Sequence, residues 1–547
     1  MIVQADKVTA ETIEPQTIGQ PSLLARLKPF WRPETGIFLA VWLVLMIGGR
    51  TRFFRDPGTF WHTVVGEQML STGSMIYTDT FSFTFAGKPW IAHQWLGECV
   101  MALLHRVDGF DTLLLAATTL LAWVYTWIAA RLIRCGLHWS LAIVVVGLIM
   151  AASSSHFHVR PHLGTIALLA CTYALLCDFE ARRAGVGNLA FLVPIFLLWT
   201  NAHGGMLGGL GTLVIVWTGW EAQALLGKGA LSQRQMLIAA ALLIACGFTA
   251  FASPYGLLMP KTWFAIMDSP ILPQIIQEHA RLNPLKLDGM MVIALGVFYV
   301  FMLSGTLLRG SRWPRVTWLI PLVWLLLACS RIRHAPLLAV TAGFAIADML
   351  PFTCWARWMA RPGSDLFVFP KTAQPTPRKL DFRAALVPVG ILAIVLIMQI
   401  RRVPCPVLGH GWARCDQDAC PADLTAALRQ AAPAGEPVPI FNEYQFGGFL
   451  IYESYFTPNF PQYRVFVDDR CELYGDRWLQ NYVVSEWEDT AAQIQRWQQS
   501  YGRFDLALTR RGSGFDGYFA GSADWKLLAG KDGQAHLYRR PPGGNSR

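Results

Sequence analysis

Long apolar runs recur about eleven times between residues 36 and 400, and a chain of this kind can satisfy its backbone only by crossing a bilayer as helices. Each run approaches the roughly 20 residues that span about 30 Å of hydrocarbon. The runs lie near 36–49, 111–130, 138–153, 163–178, 188–202, 205–225, 236–252, 288–308, 316–329, 335–350 and 384–400. Composition agrees, with 53% hydrophobic and only 15% charged residues, too apolar for an ordinary soluble enzyme. The sequence therefore predicts a polytopic α-helical membrane protein of about eleven transmembrane helices.

Lys and Arg set the expected orientation. Lys7, Arg26, Lys28, Arg32, Arg131, Arg134, Arg182, Arg183, Arg309, Arg312 and Arg315 fall on one side, although Arg50, Arg52 and Arg55 stand on the other. The positive-inside rule then places the N-terminus in the cytoplasm. The net charge of +10 follows mainly from this asymmetry, and no basic element with interleaved aromatics marks a nucleic-acid partner. The first 30 residues carry no signal-peptide pattern, so the first span is expected to be an uncleaved anchor. An odd number of spans puts the tail outside the cytoplasm. There Cys405, Cys415, Cys420 and Cys471 meet an oxidising compartment that permits disulfides, and "CPVLGHGWARCDQDAC" is open equally to a metal knot.

The expected organisation is a cytoplasmic segment at 1–35, a transmembrane domain at 36–400 with a large first outer loop at 50–110, and a small soluble α/β domain at 401–547. Within the loop, "GTFWHTVVGEQMLSTG" and "QWLGECVMALLHRVDG" have the spacing of amphipathic helices lying on the membrane surface. "IYTDTFSFTFAGKPW" between them alternates like an extended hairpin. Residues 351–383 are expected to be a cytoplasmic linker. In the tail, "WEDTAAQIQRWQQSYG" predicts an amphipathic helix, and "FDLALTRR", "WKLLAG" and "AHLYRR" predict strands.

Polar residues gather at the outer ends of these spans. Asp56, His62, Asp79 and His93 belong to the first loop; His156, His158, Arg160 and His162 form "HFHVRPH"; Asn201 and His203 lie in "WTNAHGG"; Tyr255 lies in "SPYG"; Arg331, Arg333 and His334 form "SRIRHAP". Singly, each has a plain explanation as a belt residue, a solvated cap or a helix break. Jointly, their one-sidedness predicts a single polar cavity, because ionisable groups at membrane depth are costly unless they are paired or line water. A carboxylate there can take a proton from a hydroxyl or hold a cation, arginines can bind phosphate bidentately, and aromatic faces suit sugar rings. A sugar carried on a lipid phosphate would present all three demands at once.

With these residues in place, the chain resembles the GT-C superfamily of polytopic glycosyltransferases, which includes oligosaccharyltransferase catalytic subunits, protein O-mannosyltransferases and aminoarabinose transferases. The resemblance rests on "FRDPGTFWHTVVGEQML" after the first span, on "TDTFSFTFAGKPWIAHQWLGE", and on the "VRPH" and "WTNAHGG" junctions. It implies that Asp56 is a general base toward the acceptor, or a metal ligand (Mg or Mn) in a cation-dependent variant, with Asp79 the second acid. It implies that Arg160, Arg331 and Arg333 neutralise the leaving phosphate. His62, His93, His162, Asn201, His203, Tyr255 and His334 would be positioning or sugar-binding groups. The implied reaction is inverting transfer from a polyprenyl-phosphate sugar to a lipid, glycan or protein acceptor at the outer face of a bacterial inner membrane, with the tail periplasmic. No WWDYG-like signature is present, so asparagine glycosylation is not implied. A transporter or flippase of a lipid-linked or anionic envelope substrate, or a non-catalytic envelope assembly protein, is the alternative. In the tail, Asp468–Arg470 is open to two readings, a metal or sugar contact and an ion-paired turn.

Overall fold

A computed structural model describes residues 30–229, 231–275, 279–308, 313–369, 383–433 and 436–541. Most of the expected N-terminal segment and part of the 351–383 linker therefore lie outside the described residues. Each of the eleven apolar runs contains a helix, and eight helices are long and apolar enough to cross a membrane. The helices used below are α1 (Pro33–Arg52), α2 (Gly58–Thr72), α3 (Trp95–Asp108), α4 (Phe110–Arg134), α5 (Trp139–Ser153), α6 (His162–Glu180), α7 (Leu192–Ala202), α8 (Met206–Leu225), α9 (Gln233–Phe248), α10 (Leu287–Leu307), α11 (Ile320–Ser330), α12 (Ala335–Met349) and α13 (Arg383–Ile400). Every residue of α12 is buried. Apart from Thr341 and the ion-paired Asp348 its side chains are apolar on all sides, so it takes the bundle centre, packed by α4, α5, α6, α10 and α11.

The tail builds a five-stranded sheet in the order β2-β1-β3-β5-β4 from β1 (Pro437–Asn442), β2 (Gln462–Val465), β3 (Leu506–Arg510), β4 (Lys526–Ala529) and β5 (Ala535–Arg539). β1 is parallel to both β2 and β3, whereas β5 is antiparallel to β3 and β4. The helices α14 (Gly447–Phe456), α15 (Asp476–Ser485), α16 (Thr490–Tyr501) and α17 (Gly514–Gly521) accompany it. The predicted helix and all three predicted strands form, and "FGGFLIY" folds into α14. One disulfide, Cys415–Cys420, forms in the tail, and Cys405 and Cys471 are free thiols.

The first outer loop forms both expected helices and the hairpin between them, which closes through Asp79 N–H to Lys88 O and Trp90 N–H to Tyr77 O. It differs from expectation in where α2 lies. Gly58–Gly66 is buried without a break, so α2 is sandwiched between α3 and α14 and is not spread on a membrane surface. The polar stripe of "GTFWHTVVG", Thr59, His62 and Thr63, is bonded inside the fold to Val159 O, Glu98 and Thr59 O, so no face is left for water, which is the physical reason. The hairpin also lengthens the sheet at its β2 edge. Phe83 N–H donates to Val465 O, Val465 N–H donates to Phe81 O, and Thr84 Oγ1 donates to Phe466 O. An unpaired strand edge is thereby covered by the membrane part of the same chain.

The close crossing of α2 and α3 depends on one glycine. A Cβ on Gly66 would lie 2.0 Å from Glu98 O, a backbone atom that no side-chain rotation can move. Gly66→Val is expected to cost about 3 kcal/mol or more, read as a fall in the melting temperature of the purified protein. A wild-type melt would show that the helices do not cross there.

At the opposite end of the bundle, arginines expected to be topological charges are ion-paired. Arg131 and Arg183 bind Asp178 at 2.5 and 2.8 Å, and Arg183 and Arg315 both bind the buried carboxylate of Asp348. Asp178 and Asp348 lie on α6 and α12, so this network ties helices together as well as marking a side.

Candidate functional site

After α1 the chain turns through Phe53–Pro57 and re-enters as α2, and Asp56 occupies that turn. Its Oδ1 accepts the Gly58 N–H at 2.8 Å, which supplies an acceptor at the start of α2. Its Oδ2 accepts from Arg160 Nη1 at 3.0 Å. The pairing follows from backbone register: Val159 N–H donates to Phe53 O, and Thr59 Oγ1 donates to Val159 O at 2.9 Å. The "HVRPH" segment is thus pinned along the turn, with Arg160 beside Asp56.

The sheet domain delivers a second carboxylate to the same place. Trp61 Nε1 donates to Asp469 Oδ1 at 2.5 Å. α14 sits so close to the Asp56 turn that a Cβ on Gly448 would be 2.2 Å from Pro57 O. Burial pushes the Asp469 carboxyl well above the usual carboxylate range, and the negative charge of Asp56 acts in the same direction; Arg160 opposes them. Two carboxyl groups therefore stand in the field of one guanidinium.

Around this centre lies a set of neutral imidazoles. His62 Nδ1 and Glu98 Oε1 are 2.8 Å apart and fully buried. Burial lowers the His62 pKa well below its ordinary value, with Arg160, His93, His203 and His162 adding to the effect. Burial raises that of Glu98, with Glu472 adding to it, so the pair is a neutral hydrogen bond rather than an ion pair. His62 Nε2 and Glu98 Oε2 have no hydrogen-bond partner among the described residues. His93 stands 3.8 Å from Glu472, which accepts from Trp90 Nε1 at 2.8 Å. Burial lowers the His93 pKa against the pull of Glu472. His203 Nδ1 accepts the Gly205 N–H at 2.9 Å, which leaves the ring proton on Nε2. Burial lowers its pKa too, with His162 and Arg333 contributing. The His162 ring lies 6.4 Å from that of His203, and His162 Nε2 bonds His156 O.

Asp56, His62, His93, Arg160, His162, His203 and Arg333 are therefore brought within electrostatic reach of one another from four separate stretches of chain. Arg333 also contacts His279. His334 Nδ1 bonds Leu327 O at 3.0 Å in the same α11–α12 junction, where Arg331 is half-buried. Three other expected site residues hold the scaffold. Asn201 accepts from Trp95 Nε1 and donates to Leu197 O and Ala252 O. Tyr255 donates to Ile76 O and accepts from Ala92 N–H. Asp79 is buried against Arg470 at 2.7 Å, with Ser82 and the Phe81 N–H on its oxygens.

Sequence reasoning missed Glu98 and Glu472, and left Asp469 inside a "DDR" open to two readings. Glu98 was legible, since it falls with Met101, Ala102 and Asp108 on the buried face of α3 at helical spacing, and a Glu on such a face is unusual. For "DDR", the structure separates its members: Asp468 and Arg470 form the ion-paired turn, whereas Asp469 faces Trp61.

A cleft of about 370 Å³ opens beside the Asp56 turn, where Arg52 and Arg55 face Ser154, Ser155 and Asp288. Arg55 Nη2 donates to Ser155 O at 3.2 Å.

No protein-family model and no curated protein matches the sequence. Among solved structures, the archaeal oligosaccharyltransferase AglB from Archaeoglobus fulgidus, in complex with an inhibitory peptide and a dolichol-phosphate, aligns with a TM-score of 0.51 at 10% identity. The alignment covers 88% of this chain and 70% of that one. The two chains share a fold. Oligosaccharyltransferases are among the proteins named by the first-loop resemblance. ArnT from Cupriavidus metallidurans bound to undecaprenyl phosphate aligns with a TM-score of 0.49 at 12% identity, over 93% of this chain and 98% of that one.

Proposed function

We propose that the protein is a membrane glycosyltransferase that moves a sugar from a polyprenyl-phosphate donor to a hydroxyl-bearing acceptor, with inversion. The observation that carries this is the Asp56–Arg160 pair, with Asp469 held close by through Trp61, in the turn that follows the first span. The shared fold supports it, because the oligosaccharyltransferase of that fold was solved with a dolichol-phosphate. The N-terminus would be cytoplasmic, and the sheet domain, residues 401–547, would lie on the periplasmic side of a bacterial inner membrane.

In this mechanism, Asp56 accepts the proton of the acceptor hydroxyl as its oxygen attacks the anomeric carbon. The bond from that carbon to the phosphate oxygen breaks, and polyprenyl phosphate leaves with the bonding pair. Arg160, with Arg52 and Arg55 in the cleft and Arg331 and Arg333 at the same end, neutralises that phosphate. Burial raises the Asp469 carboxyl, which disfavours a second negative charge beside that phosphate. His62, His93, His162, His203 and His334 offer polar groups to sugar hydroxyls, and Asp79, Asn201 and Tyr255 hold the frame. A metal ion does not fit at Asp56, where a guanidinium already takes the place of a cation. No step is routed through one.

The test is binding and turnover in nanodiscs with polyprenyl-phosphate sugars and plain polyprenyl phosphate. Saturable binding is expected, weakened about tenfold or more in Arg160→Gln. No saturable binding of any phosphate-linked lipid would overturn the proposal.

A further inference from the structure

The metal-ligand geometry that Asp56 lacks occurs elsewhere. Asp108 ends α3, Asp111 opens α4, and His410 comes from the stretch that follows α13; one ligand atom from each lies within 4.8 Å of the others. His410 Nδ1 is 2.8 Å from Asp108 Oδ1 and 4.0 Å from Asp111 Oδ2. These values bracket the separation of about 3.3 Å between ligands of a tetrahedral ion with bonds of about 2.0–2.1 Å.

Two further observations point to a ligand. Asp108 is 6% exposed, and its Oδ2 is buried with no hydrogen-bond partner among the described residues, although its carboxyl group faces the cluster. A buried carboxylate oxygen left in this state is costly. The charge is also unbalanced: among the described residues, neither aspartate has a Lys or Arg ion pair, and His410 is the sole candidate cation beside two carboxylates. Asp111 meanwhile is oriented by the Gly411 and Ala413 N–H groups, each 2.7 Å from one of its oxygens. An oxygen that accepts one such bond retains a second lone pair, so these bonds orient the ligand as outer-shell contacts do in metal sites.

We propose that Asp108, Asp111 and His410 form a binding site for one divalent transition-metal ion. Two carboxylates with an imidazole favour zinc, or manganese more weakly, over magnesium, which prefers oxygen donors alone. His410 is half exposed, which leaves room for water to complete the coordination. The ion would pin the segment after the last span to the α3–α4 corner. The site shares no residue with the Asp56 cluster, so it is independent of the glycosyltransferase proposal.

The test uses the full-length protein in detergent, stripped with chelator and titrated calorimetrically with Zn²⁺, Mn²⁺ and Mg²⁺, with metal content measured after dialysis. One equivalent of Zn²⁺ is expected to bind and to raise the melting temperature by about 5 °C at a hundredfold excess over Kd. His410→Ala and Asp108→Asn should weaken binding at least tenfold, and Asp56→Asn should leave it unchanged. If Asp108→Asn fails to fold, the half-exposed His410→Ala decides. No stoichiometric binding, a preference for Mg²⁺ over Zn²⁺, binding that survives His410→Ala, or loss in Asp56→Asn instead would each overturn the site.

Discussion

Asp56→Asn is expected to lower turnover by about 10²–10⁴-fold, the range for loss of a positioned general base, while affinity for the lipid phosphate holds or improves. The direction of the second effect follows from the ion pair. Arg160 Nη1 is 3.0 Å from the Asp56 carboxylate, and removing that negative charge leaves the guanidinium freer to meet a phosphate. A variant that lost activity through misfolding would lose binding as well, so the split between kcat and Kd is diagnostic. Turnover within tenfold of wild type would remove Asp56 from the chemistry. Asp469 supplies a companion signature in the pH profile. Its carboxyl is raised by burial and by Asp56, and it faces Arg160 and Trp61 from the membrane part and Asp468 from its own domain. As pH rises through that raised value, a second negative charge appears beside the donor phosphate and KM climbs. Asp469→Asn cannot ionise, so its KM should stay flat on the alkaline side.

The spans were legible because a bilayer leaves a chain few choices: apolar length alone identifies them. The clustering of polar groups was legible for a related reason, since the positive-inside pattern and the span count assign Asp56, Arg160 and His203 to one end before any contact is known. The docking of the sheet domain was not legible. Asp79 meets Arg470, and Ser82 meets Val465, across most of the chain's length, and no local periodicity announces such a pair. The same blindness hid the division of labour within "DDR". Which of two adjacent aspartates faces inward to an arginine and which faces Trp61 is set by the loop that packs over them, not by the residues themselves. Glu472 escaped for that reason also, as its partners Trp90 and His93 lie in the first loop.

Arg470 is where that docking is most exposed to experiment. The side chain is completely buried, bound to Asp468 through Nε and Nη2 at 2.9 and 2.7 Å and to Asp79 at 2.7 Å, with the Trp90 and Phe81 rings 4.7 and 5.1 Å from its guanidinium carbon. Arg470→Met removes the one cation between two buried carboxylates, and breaking a buried pair in this way costs about 3–5 kcal/mol. The expected result is a large fall in melting temperature together with protease cleavage in the 76–90 hairpin, because the seam that carries Asp469 and Glu472 to the cavity loses its centre. Adding Asp79→Asn and Asp468→Asn to Arg470→Met should restore most of the stability, since the penalty comes from uncompensated charge and not from the volume of the side chain. The triple variant would then separate frame from chemistry. If its seam closes again, Asp469 returns to Trp61 and transfer recovers; a stable triple variant that remains inactive would place Arg470, Asp79 or Asp468 among the reacting groups.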